Sequence, residues 1–143
     1  MSVTALYTPD VLALATGLAA FPLDDALPLK GEARSKSCGS VISLGLALDE
    51  AGRIGQVGVR AQACAVGQAA AAIFARSAPG RDARDVRAAT DAMAAWLAGE
   101  GPLPDWPGLD AIAKVKHYPA RHAAVMLAWK AAQELLSSSD LPR

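Results

Sequence analysis

Residues 41–62 constrain the fold more than any other stretch, because they alternate, reverse and alternate again. In VISLGLALD (41–49), Ile42, Leu44, Leu46 and Leu48 fall on one side, and Val41, Ser43, Gly45 and Ala47 on the other. DEAG (49–52) supplies turn residues, and RIGQVGVRAQ (53–62) returns. Two apolar alternations about a short polar turn predict an antiparallel hairpin. GEARSKS (31–37), just ahead of it, predicts a short edge strand.

After the hairpin the period changes. CAVGQAAAAIFARS (64–77) is alanine-rich and free of proline, which predicts a helix, closed by SAPG (77–80). Asp82 and Asp85 have the N-cap and N3 spacing of a capping box, with Asp in place of Glu. The helix they start carries Val86, Ala89, Met93, Trp96 and Leu97 at three-to-four spacing and ends at Gly99. GEGPLPDWPGLD (99–110) reads as a loop. A last helix is expected from about 119 to 137, with Ala120, Ala124, Leu127, Ala131 and Leu135 as its apolar stripe and SSSDLPR as a frayed tail. Upstream, Thr8-Pro9-Asp10 reads as a helix start, with the helix over about 9–19 and Val11, Leu12, Leu14, Ala15 and Leu18 on its apolar side. FPLDDALPLK (21–30), with two prolines, is an extended connection. The expected fold is therefore α+β: one domain over 1–143, with a core over 7–137 and a frayed 138–143. A small antiparallel sheet of two to three strands has four helices packed on one face.

Composition narrows the function classes. Fourteen basic and fourteen acidic residues cancel, and 52% of the chain is hydrophobic, which excludes disorder. KVKHYPAR (114–121) is the one basic cluster and falls short of a nucleic-acid-binding stripe. No apolar run reaches the roughly 20 residues of a membrane span. VLALATGLAAF (11–21) lacks the positive region that would precede a signal-peptide core. Two cysteines are too few for a secreted disulfide framework, so the cytoplasm is the expected compartment. GRIGQVG (52–58) has the glycines of a phosphate loop but sets them inside a strand, where they are expected to mark close packing. Trp96, Trp106 and Trp129 are expected in the core. The chain holds no Ser-His-Asp, HExxH or CxxC arrangement.

The chemistry on offer is the two thiols. Cys64 opens a helix, where the positive end of the macrodipole favours thiolate. Cys38 stands before the first long strand, and 38 and 64 are nearly symmetric about the turn at 50–51. The hairpin should therefore bring the two thiols together at its open end. The alternatives are two separate packed cysteines, or a redox disulfide if their Cα atoms lie within about 7 Å.

Taken in order, CGSV (38–41), DEAGRI (49–54), ACAVGQAAAA (63–72) and YPARHAAVMLAWKA (118–131) resemble the scaffold proteins of iron–sulfur cluster assembly, the IscU/SufU/NifU N-terminal family. The resemblance spans residues 7–137 and is nearest the SufU branch. It implies a protein that accepts sulfur from a cysteine desulfurase, accepts iron, and holds and releases a nascent cluster. SufU-like members instead bind zinc and act as sulfur acceptors for a SufS-like desulfurase. Cys38 matches the sulfur-accepting cysteine, and Cys38 and Cys64 match two metal ligands. Ser40 stands where the family site has an Asp. The third cysteine falls at Ala124, and the histidine of the IscU branch at Ala123. His122 is one residue off, and 122 and 124 differ in direction by about 200° on a helix. The Leu-Pro-Pro-Val-Lys segment of the IscU branch is replaced by KHYPAR.

The ligand count implied is short. Ser40 is a poor neutral ligand, and His117, in the loop before the last helix, reads as a surface residue beside Lys116 rather than a further ligand swung into the site. A zinc or iron–sulfur site normally takes four donors. Two chains in a homodimer would supply four thiolates. Arg121, in the Pro-Ala-Arg segment, is either a binding group for an anionic sulfur species or a desulfurase carboxylate, or a plain surface charge. The expected function is a cluster-assembly scaffold or sulfur acceptor using Cys38 and Cys64. The alternative is a degenerate member, a persulfide carrier or interaction module without metal.

Overall fold

A computed structural model of the chain describes residues 6–36 and 39–139, the last two by backbone alone. The alternating stretches form an antiparallel sheet in the order β1 (Leu29–Arg34), β2 (Val41–Leu48), β3 (Ile54–Gln62). The helices are α1 (Pro9–Gly17), α2 (Ala65–Ser77), α3 (Ala83–Leu97) and α4 (His122–Ser139). The α+β expectation holds, with three strands.

Register decides which side of the sheet is core. The pairs Ile42–Ala61, Leu44–Val59 and Leu46–Val57 share one face with Leu29, Gly31 and Ala33 of β1. That face packs on α2 and α4. Ile42, Leu44 and Leu46 are at most 1% exposed, and full burial of such a side chain is worth about 1.5–3 kcal/mol. A register shift at Ala47/Leu48 pairs Leu48 with Ile54, and Leu48 is only half-buried. α4 lies so close that a Cβ on Gly31 would come 2.9 Å from Leu135 Cδ2.

The other face is thin in its middle, where Gly45 pairs with Gly58. Residues 21–27 lie directly on this spot. A Cβ on Gly58 would come 2.4 Å from the Pro22 carbonyl oxygen, and one on Gly45 2.8 Å from Leu27 Cδ1. The Val59 N–H donates to the Phe21 carbonyl at 2.8 Å. The strand glycines mark close packing, as their place in the sequence predicts, and the proline-bearing connection is the sheet's cover.

Local signals set the helix ends. Thr8 Oγ1 accepts the Val11 N–H at 3.2 Å, with Pro9 in the first turn. α1 stops at Gly17 and tightens into a 3-10 turn over Leu18–Ala20. Leu12, expected on its apolar side, is 47% exposed. Val11 and Leu18 take the core-facing stripe, and Leu12 sits about 100° round from Val11. In α3 both capping-box bonds are present: the Asp85 N–H donates to Asp82 Oδ1 at 2.9 Å and the Asp82 N–H to Asp85 Oδ2 at 3.1 Å. α2 is the central helix, with Val66, Gly67 and residues 69–75 all buried between α1, α4 and β3. Its alanines allow that crowding.

All three tryptophans are buried. Trp106 stacks on Phe74 at 5.5 Å, donates its Nε1–H to the Ile73 carbonyl at 3.0 Å, and lies 3.8 Å under the Arg81 guanidinium. Trp129 is close to perpendicular to both rings, with centroids 5.4 Å apart. Its Nε1–H has no hydrogen-bond acceptor among the described residues.

Two stretches depart from expectation. A 3-10 helix, Leu109–His117, bent at Ile112, follows the 99–108 loop. Its buried Leu109, Ile112 and Val115 recur every third residue, the 3-10 period. The last helix begins with a 3-10 turn at Pro119–Arg121, leaving Ala120 exposed, and α4 then runs to Ser139, into the tail expected to fray. Residues 140–143 lie outside the described residues. α4 is buried on a broader face than one stripe, at every position from 124 to 129. No described helix is long and apolar enough to cross a membrane.

Candidate functional site

The site is built where β3 hands the chain to α2. Gln62, the last residue of β3, pairs with Val41, the first of β2. Two residues on, Cys64 is the N-cap of α2, with φ −64° and ψ 167°. Its carbonyl accepts the Gln68 N–H at 2.9 Å. The Gln68 side chain reaches back and donates to the Ala63 carbonyl at 2.8 Å, which holds the strand-to-helix corner. The Cys64 thiol is free, makes no capping hydrogen bond, and is half-buried against the core.

α4 closes on this corner through small residues. A Cβ on Gly67 would come 2.9 Å from the Ala63 Cβ and 3.5 Å from the Ala124 Cβ. Ala124 is 1% exposed. The tertiary structure therefore brings position 124 beside the first turn of α2, as the resemblance implies for a third ligand. What it delivers there is a buried methyl group.

Cys38 lies outside the described residues, and so do its expected convergence with Cys64 and the disulfide alternative. Gly39, at φ +71°, takes a left-handed conformation that glycine tolerates. Its N–H donates to the Ser35 carbonyl at 3.0 Å, and the Ser40 carbonyl accepts the Ser35 N–H at 2.8 Å. These bonds close the link between β1 and β2. Ser40 is buried at its base, 5% exposed.

His122 is committed elsewhere. Its Nε2 lies 3.0 Å from the Val115 carbonyl and 3.1 Å from the Lys116 carbonyl. Carbonyls only accept, so the network assigns the proton to Nε2, which donates to both. The ring thereby ties the end of the 3-10 helix to the start of α4. The sequence marked His122 as pointing away from position 124 but gave no sign of this bond, because its partners are backbone atoms. His117 is exposed. Arg121 is half-buried, and its side chain makes no ion pair with a described residue.

Among the described residues no three His, Cys, Asp or Glu side chains converge to hold a metal ion. The described part of the site offers one thiol, a buried neutral serine, a methyl and a histidine already bonded. Among the described residues, that donor set does not fill a four-ligand metal cage.

No family model and no curated protein sequence matches the chain. Solved structures do. The N-terminal NifU-like protein of Brucella abortus superposes with a TM-score of 0.85 at 27% identity, covering 95% of this chain and 96% of that one. The SufU protein of Fervidobacterium islandicum AW-1, assigned as an iron–sulfur cluster assembly scaffold for the SUF system, gives 0.83 at 18% identity, covering 94% and 99%. A hypothetical protein gives 0.72 at 23% identity over 89% and 96%. The chain thus has the IscU/SufU/NifU-like scaffold fold.

Proposed function

We propose that this chain works in iron–sulfur cluster assembly as a sulfur acceptor built on the scaffold fold. The observation that carries the reading is the free, half-exposed Cys64 thiol at the N-cap of α2 in a chain that superposes on a NifU-like protein over 95% of its length. The donor is a cysteine desulfurase of the SufS kind, acting in the cytoplasm. A thiolate of this chain, Cys64 or Cys38, attacks the outer sulfur of the donor's persulfide. The donor's S–S bond breaks, its cysteine leaves as thiolate with the electron pair, and the acceptor carries the persulfide. The exchange balances without an oxidant.

Sulfur acceptance needs one reactive thiol, whereas a cluster needs about four ligands. The reading therefore survives the methyl at Ala124. A cluster held as cargo draws its remaining ligands from outside the chain, as from Cys38 and Cys64 of a second copy. A second reading, an interaction module without sulfur chemistry, is favoured by the buried methyl of Ala124 at the heart of the site.

The test is an anaerobic incubation with the desulfurase, pyridoxal phosphate and cysteine, followed by intact mass analysis. The wild type is expected to gain sulfur on a thiol, and Cys38→Ser and Cys64→Ser to show which one. A wild type that gains none, while still binding the desulfurase, sinks the acceptor reading and leaves the interaction module.

A further inference from the structure

The two edges of the sheet are treated differently. At β3 other segments reach the outward backbone groups. The Val59 N–H donates to the Phe21 carbonyl, the Ile54 N–H to the Arg81 carbonyl, and the Gly80 N–H to the Ile54 carbonyl. β1 is the other edge. The Ser35 N–H donates to the Ser40 carbonyl at 2.8 Å, one row beyond the Arg34–Val41 pair. Backbone groups alternate between the two sides of a strand. Ala33, Gly31 and Leu29 therefore turn theirs to β2, and Lys30, Glu32 and Arg34 turn theirs away from it. No described segment makes a backbone hydrogen bond to those three residues on that side.

The side chains along this edge are of two kinds. Lys30, Glu32 and Arg34 are exposed on the outer face. Lys30 pairs with Asp25 at 3.5 Å and Arg34 with Glu32 at 3.0 Å, exposed pairs of the sort that exchange partners at little cost. On the core face, Leu29, Ala33 and the Leu135 of α4 that lies over Gly31 are only partly buried.

We infer that β1 pairs antiparallel with β1 of a second copy of this chain, about a two-fold axis at Gly31. Opposite residues of such a pair share a face, so the axis falls on a residue. At Gly31 it sets Lys30 opposite the second copy's Glu32, twice, and Leu29 opposite its Ala33. An axis at Glu32 would set Glu32 against Glu32 and Lys30 against Arg34, like against like. An axis at Ala33 would run past the strand end at Arg34 and set Lys30 against Lys36. Charge guards an edge against indiscriminate pairing, and here it leaves one register open. A foreign strand would meet the same backbone groups, but this chain itself carries the complementary Lys-x-Glu spacing. Each Lys30–Glu32 row exchanges two backbone hydrogen bonds, and the pairing covers the apolar side chains beside it. The Val41–Gln62 ends of the two sheets, each next to a Cys64 corner, then lie at opposite ends of the joined sheet. The proposal is independent of sulfur acceptance and of any shared cluster.

The experiment is sedimentation velocity on the full chain across a range of concentrations, with reductant present to exclude disulfide dimers. Wild type is compared with Lys30→Glu and Glu32→Lys, each checked for fold by circular dichroism, run singly and as an equal mixture. The wild type is expected to dimerise as concentration rises. Each single reversal sets like charges in both rows and is expected to weaken the dimer about tenfold. In the mixture one copy carries two acids and the other two bases, so both rows are complementary again and the dimer is expected to return. A wild type that stays monomeric at every concentration overturns the proposal. A dimer that both variants keep places the interface elsewhere and overturns it too, as does a dimer lost in the single variants that the mixture does not restore.

Discussion

Gly58 and Gly45 face each other across β2 and β3, yet they are not equivalent. A methyl on Gly58 would meet the Pro22 carbonyl oxygen at 2.4 Å, a backbone atom that moves only if the whole cover moves. A methyl on Gly45 would meet side-chain atoms alone, the Leu27 and Leu23 Cδ1 tips and, less closely, the Leu27 Cβ, so more of the contact can give way. Gly58→Ala is therefore expected to cost about 1–3 kcal/mol or more, and Gly45→Ala distinctly less, both read from urea denaturation midpoints. Equal costs would show that residues 21–27 are not held against the sheet. Strand glycines announce close packing in the sequence. That the packing partner is Pro22, some thirty-six residues earlier, is not legible there, because nothing local encodes a contact across the sheet face.

At the scale of elements, α3 is the part most readable from sequence. Its capping box needs only two aspartates three residues apart, and both bonds form. The Asp85 backbone N–H holds the Asp82 carboxyl below the usual aspartate range, with Arg53 and Arg84 adding to the effect. A carboxyl depressed in the fold stabilises it fully above the unfolded pKa of about 3.9 and loses that contribution as pH falls through the folded value. Asp82→Ala should therefore lower the melting temperature at neutral pH, with the difference from wild type shrinking as the pH falls below about 4. A constant difference across that range would show that the carboxylate does not act as the cap. The 99–108 loop is pinned by Trp106. Trp106→Ala should cost about 3–5 kcal/mol and speed amide exchange in the loop. The 3-10 helix Leu109–His117 escaped a sequence reading tuned to periods of 2 and 3.6, since its apolar residues recur every third position.

At the scale of the whole molecule, the site is a meeting of elements remote in sequence: the β3–α2 corner at residues 63–67 and α4 at Ala124. Ala124→Cys would set a thiol beside the first turn of α2. It is expected to tighten zinc binding relative to wild type, measured by chelator competition, and the gain should vanish when Cys64→Ser is added. No gain would mean that position 124 does not face the Cys64 thiol. The sequence by itself determined the kind and order of the three strands and of α1 to α4, since alternation, capping and turn residues act over a few positions. It also determined that the chain holds only two cysteines, a count that no fold can change. Only the tertiary structure decided that residues 21–27 cover the sheet, that His122 is bound to the Val115 and Lys116 carbonyls, and that Ala124 lies beside the first turn of α2. These depend on packing between distant segments, where shape and backbone atoms, rather than side-chain pattern, choose the neighbours.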